Sequence, residues 1–332
     1  MKTQYCDEIV LTDFEAEENL EQEFLAGLSK KPKTLPCKFF YDERGSKLFD
    51  QICELDEYYP TRTENRILSE NIDEIASHCG SDCLLVELGS GNSSKTRLLL
   101  KHLDDVVAYV PLDISREHLL SAAIRLSEDF CQLEVLPVCA DYNSPLTLPV
   151  PKRIPQRTII FFPGSTIGNF EPAKAKRFLE QIGSRCGEGD GLLIGVDLVK
   201  EKAILERAYN DAKGVTATFN LNLLHRANRE LGANFRVNQF QHQAIYNEGC
   251  RRVEMHLVSF CQQEVRISGQ NFQFEKNERI ITEYSYKYGT ESFRQLASTA
   301  GWRPLRTWTD KSHLFSVHYL QFRSRLRSSL DL

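Results

Sequence analysis

The residues best suited to chemistry are three acids and two glycines in the middle of the chain. Glu87 stands two residues before Gly89, and Gly91 follows, within Cys83-Leu84-Leu85-Val86-Glu87-Leu88-Gly89-Ser90-Gly91-Asn92-Ser93-Ser94-Lys95-Thr96. Glycines at such places permit tight turning and close approach of a ligand to the backbone. Asp113 closes a second apolar run, Val106-Val107-Ala108-Tyr109-Val110-Pro111-Leu112-Asp113, about two dozen residues beyond Gly89. A carboxylate there can accept both hydroxyl hydrogen bonds of a ribose. The same residue type also caps helices, and the sequence leaves both roles open. Asp141 directly follows a third run, Leu133 to Ala140. Ser94 stands where a dinucleotide fingerprint needs its third glycine, which counts against a pyrophosphate cofactor.

The elements that must position these groups alternate between strand and helix. Leu84 to Leu88 reads as a buried parallel strand, and Lys95 opens a helical pattern. A fourth strand, Thr158 to Phe162, leads into Pro163-Gly164-Ser165-Thr166-Ile167-Gly168-Asn169-Phe170, and a fifth spans Gly191 to Asp197. In a doubly wound sheet these loops gather at the carboxyl edge, where ligands bind. Pro172 is placed to open a helix. After Asp197 the alternation stops. Helices are expected over Lys200–Ala212 and Ala217–Glu230, then short strands over 235–281. That stretch is too long for a loop and reads as an inserted domain. The chain closes with a helix, Ser292–Thr299, and an antiparallel pair, 304–308 with 314–320.

Near the N-terminus, Phe14, Leu20, Phe24 and Leu28 recur at helical spacing, with Asp13 as the expected N-cap. Pro32 and Pro36 predict an extended connector whose lysines are solvated. Arg44-Gly45-Ser46 reads as a turn, and Thr61 with Glu64 as a capping box. Helix is expected over 65–80. Tyr41, Tyr58 and Tyr59 lie near loop boundaries, where a phenol suits either packing or a small-molecule pocket.

Composition excludes several classes. The chain is 41% hydrophobic and 26% charged, as for a globular protein, and its 332 residues suggest about two domains or one elaborated one. A net charge of −5 provides no basic field for nucleic acid. No basic segment leads into an apolar run at the N-terminus, and no run approaches the ~20 residues of a membrane helix, so neither secretion nor membrane insertion is expected. The 10 cysteines include no C-x-x-C, and His78-Cys79-Gly80-Ser81-Asp82-Cys83 lacks a second ligand pair. Free thiols in a reducing cytoplasm are expected, with no metal.

The Glu-x-Gly-x-Gly pattern is similar to the first motif of S-adenosylmethionine-dependent methyltransferases. More particular segments then narrow the likeness. They are Lys38-Phe39-Phe40-Tyr41-Asp42, Leu48-Phe49-Asp50-Gln51-Ile52, Glu57-Tyr58-Tyr59-Pro60-Thr61-Arg62-Thr63-Glu64, Gly164-Ser165-Thr166-Ile167-Gly168-Asn169, Asp197-Leu198-Val199-Lys200 and Thr282-Glu283-Tyr284-Ser285-Tyr286-Lys287-Tyr288. With them the chain, from about residue 20 onward, closely resembles the histidine Nα-methyltransferases of ergothioneine biosynthesis. The resemblance implies an α/β fold: a class I methyltransferase Rossmann-like sheet with a terminal antiparallel hairpin, plus an inserted α+β substrate-binding domain. Residues 61–197 with 287–332 would form the S-adenosylmethionine-binding core, and 1–60 with 198–286 the substrate domain.

The resemblance also implies roles. Glu87, Gly89, Gly91, Lys95, Asp113 and Asp141 would bind the cofactor, with Asp141 meeting the adenine amino group. Asn169 and Tyr209 would hold the substrate carboxylate, Glu283 and Ser285 the imidazole, and Met255 would lie near the same pocket. Tyr41, Tyr58 and Phe49 would surround the α-amine, with Tyr41 and Tyr58 as the catalytic pair. Taken singly, Tyr209 is consistent with helix core, Met255 is more often core than ligand contact, and Lys95 is consistent with a solvated helix residue. The implied reaction is trimethylation of histidine to hercynine by a cytoplasmic enzyme, expected as a monomer with no nucleic-acid or membrane partner. The closest rival is an Nα-methyltransferase for another amino acid, such as tryptophan or tyrosine. A nucleic-acid amino-methyltransferase is disfavoured by the Phe162-Pro163-Gly164-Ser165 loop, an NAD oxidoreductase by Ser94 and the terminal hairpin, and a non-catalytic cofactor-binding protein by intact Glu283 and substrate tyrosines.

Overall fold

A computed structural model describes residues 9–13, 20–144 and 147–323. The chain divides into two compact units, Met1–Ala16 with Pro60–Leu198 and Tyr288–Leu332, and Glu17–Tyr59 with Val199–Lys287.

The first unit is built on one mixed sheet. Its strand order is Thr12–Asp13, Val138–Cys139, Ala108–Asp113, Cys83–Leu88, Arg157–Phe162, Gly191–Asp197, Phe315–Phe322, Trp302–Thr309. All neighbours are parallel until Phe315–Phe322, which runs antiparallel to both Gly191–Asp197 and Trp302–Thr309. This is the Rossmann-like class I methyltransferase sheet with its terminal hairpin. Cys83–Leu88 is buried at every position, as expected of a strand covered on both faces. The chain passes from it to Ala108–Asp113 on one side and later returns to Arg157–Phe162 on its other side, so a topological switch point lies at its carboxyl end. Leu85, Tyr109, Ile159, Phe161, Leu193 and Tyr319 form part of the core around it.

Several local expectations change. The third strand is two short pieces, Glu134–Val135 and Val138–Cys139, on either side of Leu136-Pro137. The break accommodates a second proline. The Leu112 carbonyl faces the Cys83–Leu88 side, where Gly89 N–H donates to it at 2.8 Å. Adjacent backbone units alternate in direction, so Pro111 turns its missing N–H toward the interrupted strand. Asp13 lies in the short Thr12–Asp13 strand rather than capping a helix; the helix is Leu20–Leu28, and Phe14 lies outside the described residues. The helix expected over 65–80 is two, Tyr59–Glu70 and Ile72–Cys79. Thr61 and Glu64 therefore sit inside a helix and form no capping box.

The second unit carries a four-stranded sheet in the order Lys33–Thr34, Arg279–Tyr286, Arg252–Ser259, Phe240–Asn247, and a separate hairpin, Gln263–Ile267 with Gln270–Phe274. Helices Glu43–Cys53, Lys202–Tyr209 and Val215–Glu230 belong to the same unit. Arg44-Gly45-Ser46 is the first turn of Glu43–Cys53 instead of a loop, because Asp42 caps it by accepting Gly45 N–H at 2.7 Å. The connector after Pro32 is not solvated throughout. Lys33 is buried, pairs with Glu278 and joins the sheet beside Ile280.

Candidate active site

In the first unit, Gly89, Gly91, Asp113, Asp141, Gly164 and Asn169 all lie at or just beyond the carboxyl ends of neighbouring sheet strands. Gly89 and Gly91 take positive φ, +73° and +49°, which suits glycine. The amides of this loop are turned inward. Ser90 N–H donates to Leu112 O at 3.1 Å, as Gly89 N–H does, and Gly91 N–H donates to Asp113 Oδ2 at 3.0 Å. Ser94 N–H donates to Asn92 Oδ1 at 3.1 Å. A pyrophosphate-binding loop must aim such amides at the ligand. This loop spends them on its own carbonyls and carboxylates, which fits an adenosyl ligand without phosphate.

Asp113 is held by two backbone donors, Gly91 on Oδ2 and Ser115 on Oδ1, the latter at 3.0 Å. Each oxygen retains acceptor capacity, so cap and ribose roles are compatible. Asp141 accepts from the Asn143 backbone at 2.9 Å and side chain at 2.8 Å, stabilising the turn that carries it. The next residue, Tyr142, packs against Phe162 and Phe178 and reaches 4.0 Å from where a Cβ on Gly89 would lie. Two buried hydroxyls, Ser90 Oγ and Ser115 Oγ, have no hydrogen-bond partner among the described residues. Orphans of this kind beside a glycine loop are what a polar ligand would satisfy.

Glu87 and Lys95 are engaged by the protein itself. Glu87 is buried, and its Oε2 accepts from Thr96 Oγ1 at 2.6 Å and from the Tyr109 hydroxyl. Burial pushes its carboxyl up to about 7 despite those bonds. Lys95 pairs with Glu64, whose side chain is 0% exposed, and Glu64 also accepts Gly164 N–H at 2.9 Å. This clasp ties the glycine loop's helix to the Gly164 loop. Gly195 makes room for it, since a Cβ there would fall 2.0 Å from Glu64 Oε1. Glu64, read from the sequence as a helix cap, is thus the residue that joins the two loops. Ser165 takes left-handed backbone (φ +58°) and accepts Asp197 N–H at 2.9 Å, fixing the turn that ends in Asn169. Asn169 is half-buried, and its side-chain amide makes no hydrogen bond among the described residues.

In the second unit an aromatic cluster gathers Tyr41, Phe49, Tyr58 and Tyr209. Ring centroids are 5.6 Å apart for Tyr41–Phe49, 6.3 Å for Phe49–Tyr58 and 6.1 Å for Tyr58–Tyr209, all edge to face. Phe219, which the sequence did not single out, contacts both Tyr41 and Phe49, at 5.8 and 6.0 Å. Burial, with Tyr209 and Cys53 nearby, holds the Tyr58 phenol far above its ordinary range. Tyr209 ends the helix Lys202–Tyr209, and the next residues lock it. Asn210 donates to Ala244 O at 2.9 Å and accepts Ala244 N–H at 3.0 Å, while His242 Nε2 donates to Tyr209 O at 2.7 Å.

Strand Arg279–Tyr286 places Glu283 and Ser285 on one face, and Met255 faces Glu283 across the antiparallel ladder. Lys287, which the sequence did not single out as functional, continues the period and is 3% exposed. Its Nζ donates to Ser285 Oγ at 2.8 Å and to the Tyr209 hydroxyl at 3.1 Å, and Tyr209 O–H donates to Ser285 Oγ at 2.9 Å. Glu283 is partly exposed yet crowded enough that burial raises its carboxyl to about 7, with Lys287 opposing. The alternating spacing 283, 285, 287 was the available signal for Lys287. Among the described residues no cluster of three or more His, Cys, Asp or Glu could hold a metal, and no helix is long and apolar enough to cross a membrane.

The profile of the family described as "Histidine-specific methyltransferase, SAM-dependent" matches residues 20–322. The chain is 42% identical to the histidine N-alpha-methyltransferase of Mycobacterium tuberculosis (strain CDC 1551 / Oshkosh), over 90% of this chain and 93% of that one. It is 41% identical to the protein of the same name from Mycolicibacterium smegmatis, over 91% and 94%. Ergothioneine biosynthesis protein 1 of Neurospora crassa is 32% identical over 99% of this chain, which covers 38% of that longer protein.

Proposed function

Because the chain belongs to the S-adenosylmethionine-dependent, histidine-specific methyltransferase family, we propose that it methylates the α-amine of L-histidine three times, giving hercynine, an early step of ergothioneine biosynthesis. The observation that carries the substrate is the strand face of Glu283, Ser285 and Lys287 beside Tyr209. It offers one anionic acceptor and hydroxyl groups, which is what an imidazole with one N–H and one lone pair requires. A face of buried polar groups penalises side chains that leave them unpaired, which disfavours tryptophan and tyrosine.

When bound, S-adenosylmethionine supplies an electrophilic methyl group on a sulfonium. The loops after Leu88, Asp113 and Ala140 suit its adenosyl part, with Asp113 on the ribose, Asp141 on the adenine amine and the Ser90 hydroxyl as a further donor. Glu87 acts through Thr96 and Tyr109, and Lys95 through Glu64, so both shape the cradle. In the reading for the amino acid, the Asn169 amide and the Tyr209 hydroxyl serve its carboxylate. A carboxylate is a stronger acceptor than a serine oxygen, so the Tyr209 proton turns to it on binding. Tyr41, Phe49 and Tyr58 surround the amine. Tyr41 and Tyr58 orient its lone pair, which is exposed once the amine has lost a proton to water or along the phenols. The phenol of Tyr58 stays neutral, and its oxygen can accept an amine N–H while leaving the nitrogen lone pair free to attack. The accumulating methylammonium is a cation that aromatic faces stabilise, which permits successive rounds. The enzyme acts as a monomer in the cytoplasm.

The test is incubation with S-adenosylmethionine and each standard amino acid in turn, following mass gains of one to three methyl groups. Histidine alone should respond. Methylation of tryptophan or tyrosine in its place would overturn the substrate assignment.

A further inference from the structure

We propose that Lys287 is a positioning residue that makes the site select the neutral form of the imidazole, by fixing the Ser285 hydroxyl as a donor. The inference rests on the reading of Glu283 and Ser285 as the imidazole's partners. A serine oxygen has two lone pairs and one proton. In Ser285 one lone pair takes Lys287 Nζ at 2.8 Å and the other takes Tyr209 O–H at 2.9 Å. The hydroxyl proton has no acceptor among the described residues, so donating to a ligand is its remaining capacity. When the Tyr209 proton turns to the substrate carboxylate, Lys287 Nζ still occupies one Ser285 lone pair and a position beside the Tyr209 oxygen, and the ammonium repels the hydroxyl proton, which favours its donation to the ligand.

The face therefore presents one donor, Ser285, and one acceptor, Glu283. Neutral imidazole, with one N–H and one lone pair, satisfies both. Imidazolium has two N–H groups and no lone pair, and would set a donor against a donor while bringing a second cation near Lys287. A buried polar group left facing a like group costs more than a lost hydrogen bond. The groups beside this pair are Lys287 on the same strand, Tyr209 from its helix, and Tyr58, which interacts with Glu283 and has Tyr41 and Cys53 in turn near it. Neither arginine nor histidine stands among them, which leaves Lys287 as the cation that sets the polarity.

The experiment uses the full chain, with S-adenosylhomocysteine present to prevent turnover, and titrates histidine and 3-(1,2,4-triazol-3-yl)alanine calorimetrically between pH 5 and 8. The triazole ring stays neutral throughout, while imidazole protonates near pH 6.5. Titration of Glu283 affects both ligands alike, so the ratio of their Kd values isolates the imidazole. In the wild type, histidine should weaken relative to the triazole analogue by about tenfold at one pH unit below 6.5. In Lys287→Met, Ser285 can turn to accept, and the ratio should become nearly flat with pH. Ser285→Ala removes the donor and should flatten it too, covering the case in which Lys287→Met does not fold. A wild-type ratio that is flat, or a variant that keeps the wild-type slope, would overturn the proposal. Loss of histidine binding and methylation in the wild type would instead refute the substrate reading on which it rests.

Discussion

Replacing Glu283 by glutamine should weaken substrate binding and strengthen the fold. The carboxyl is raised from 4.5 to about 7 by burial. A folded-state pKa above the unfolded one means that stability is full below pH 4.5 and is lost as pH rises toward 7. The displacement corresponds to at most about 3 kcal/mol, since one pKa unit is ~1.4 kcal/mol and the side chain keeps some solvent contact. Glutamine has no charge to desolvate, so Glu283→Gln should be more stable than wild type at pH 8 and equal to it at pH 4. On the binding side, a hydrogen bond to a charged acceptor contributes ~1.5–3 kcal/mol, which predicts a rise in the histidine KM of roughly 10- to 100-fold. Melting temperature against pH and steady-state kinetics read the two effects separately. Equal melting curves at pH 4 and pH 8 would refute the desolvation argument. An unchanged KM would refute the imidazole contact.

Two further outcomes follow from the first unit. Lys95→Met leaves Glu64 charged and buried without its cation, and should cost ~3–5 kcal/mol in urea unfolding. Adding Glu64→Gln should recover much of the loss, and a purely additive double mutant would dissolve the clasp. Asp113→Asn keeps one oxygen but sets an amide N–H against a backbone donor, Gly91 or Ser115. S-adenosylhomocysteine should then bind at least about tenfold more weakly by calorimetry, at ~1–3 kcal/mol for an unsatisfied buried donor; full affinity would detach Asp113 from the cofactor.

The parallel core was legible because its strands are continuous apolar runs ending in acids or glycines. Burial on both faces demands the first, and a ligand at the switch point favours the second. Ser94 argued against a dinucleotide, and the inward-turned amides of Gly89, Ser90 and Gly91 give the physical basis. Of the terminal hairpin, Phe315–Phe322 is mostly buried like the core strands, whereas Trp302–Thr309 is mixed in character and was legible as its antiparallel partner. The N-terminal elements were less so. Asp13 and Lys33 carry ordinary local signals, and pairing with distant residues decided their structure: Cys139 for Asp13, Glu278 for Lys33.

What the sequence by itself determined is the alternation of the core, the place of the glycine loop, and the likeness of scattered motifs to one family. What only the tertiary structure decided is which polar groups are committed to one another. Glu64 looked like a helix cap and Lys95 like a cofactor contact, yet they form a buried pair between two loops. Lys287 looked like the tail of a motif, yet it anchors Ser285 and Tyr209. Hydrogen-bond partners lie 31 residues apart in the first case and 78 in the Lys287–Tyr209 bond. Local spacing fixes which face a side chain occupies, but the partner arrives from another element, and only the folded chain brings it there.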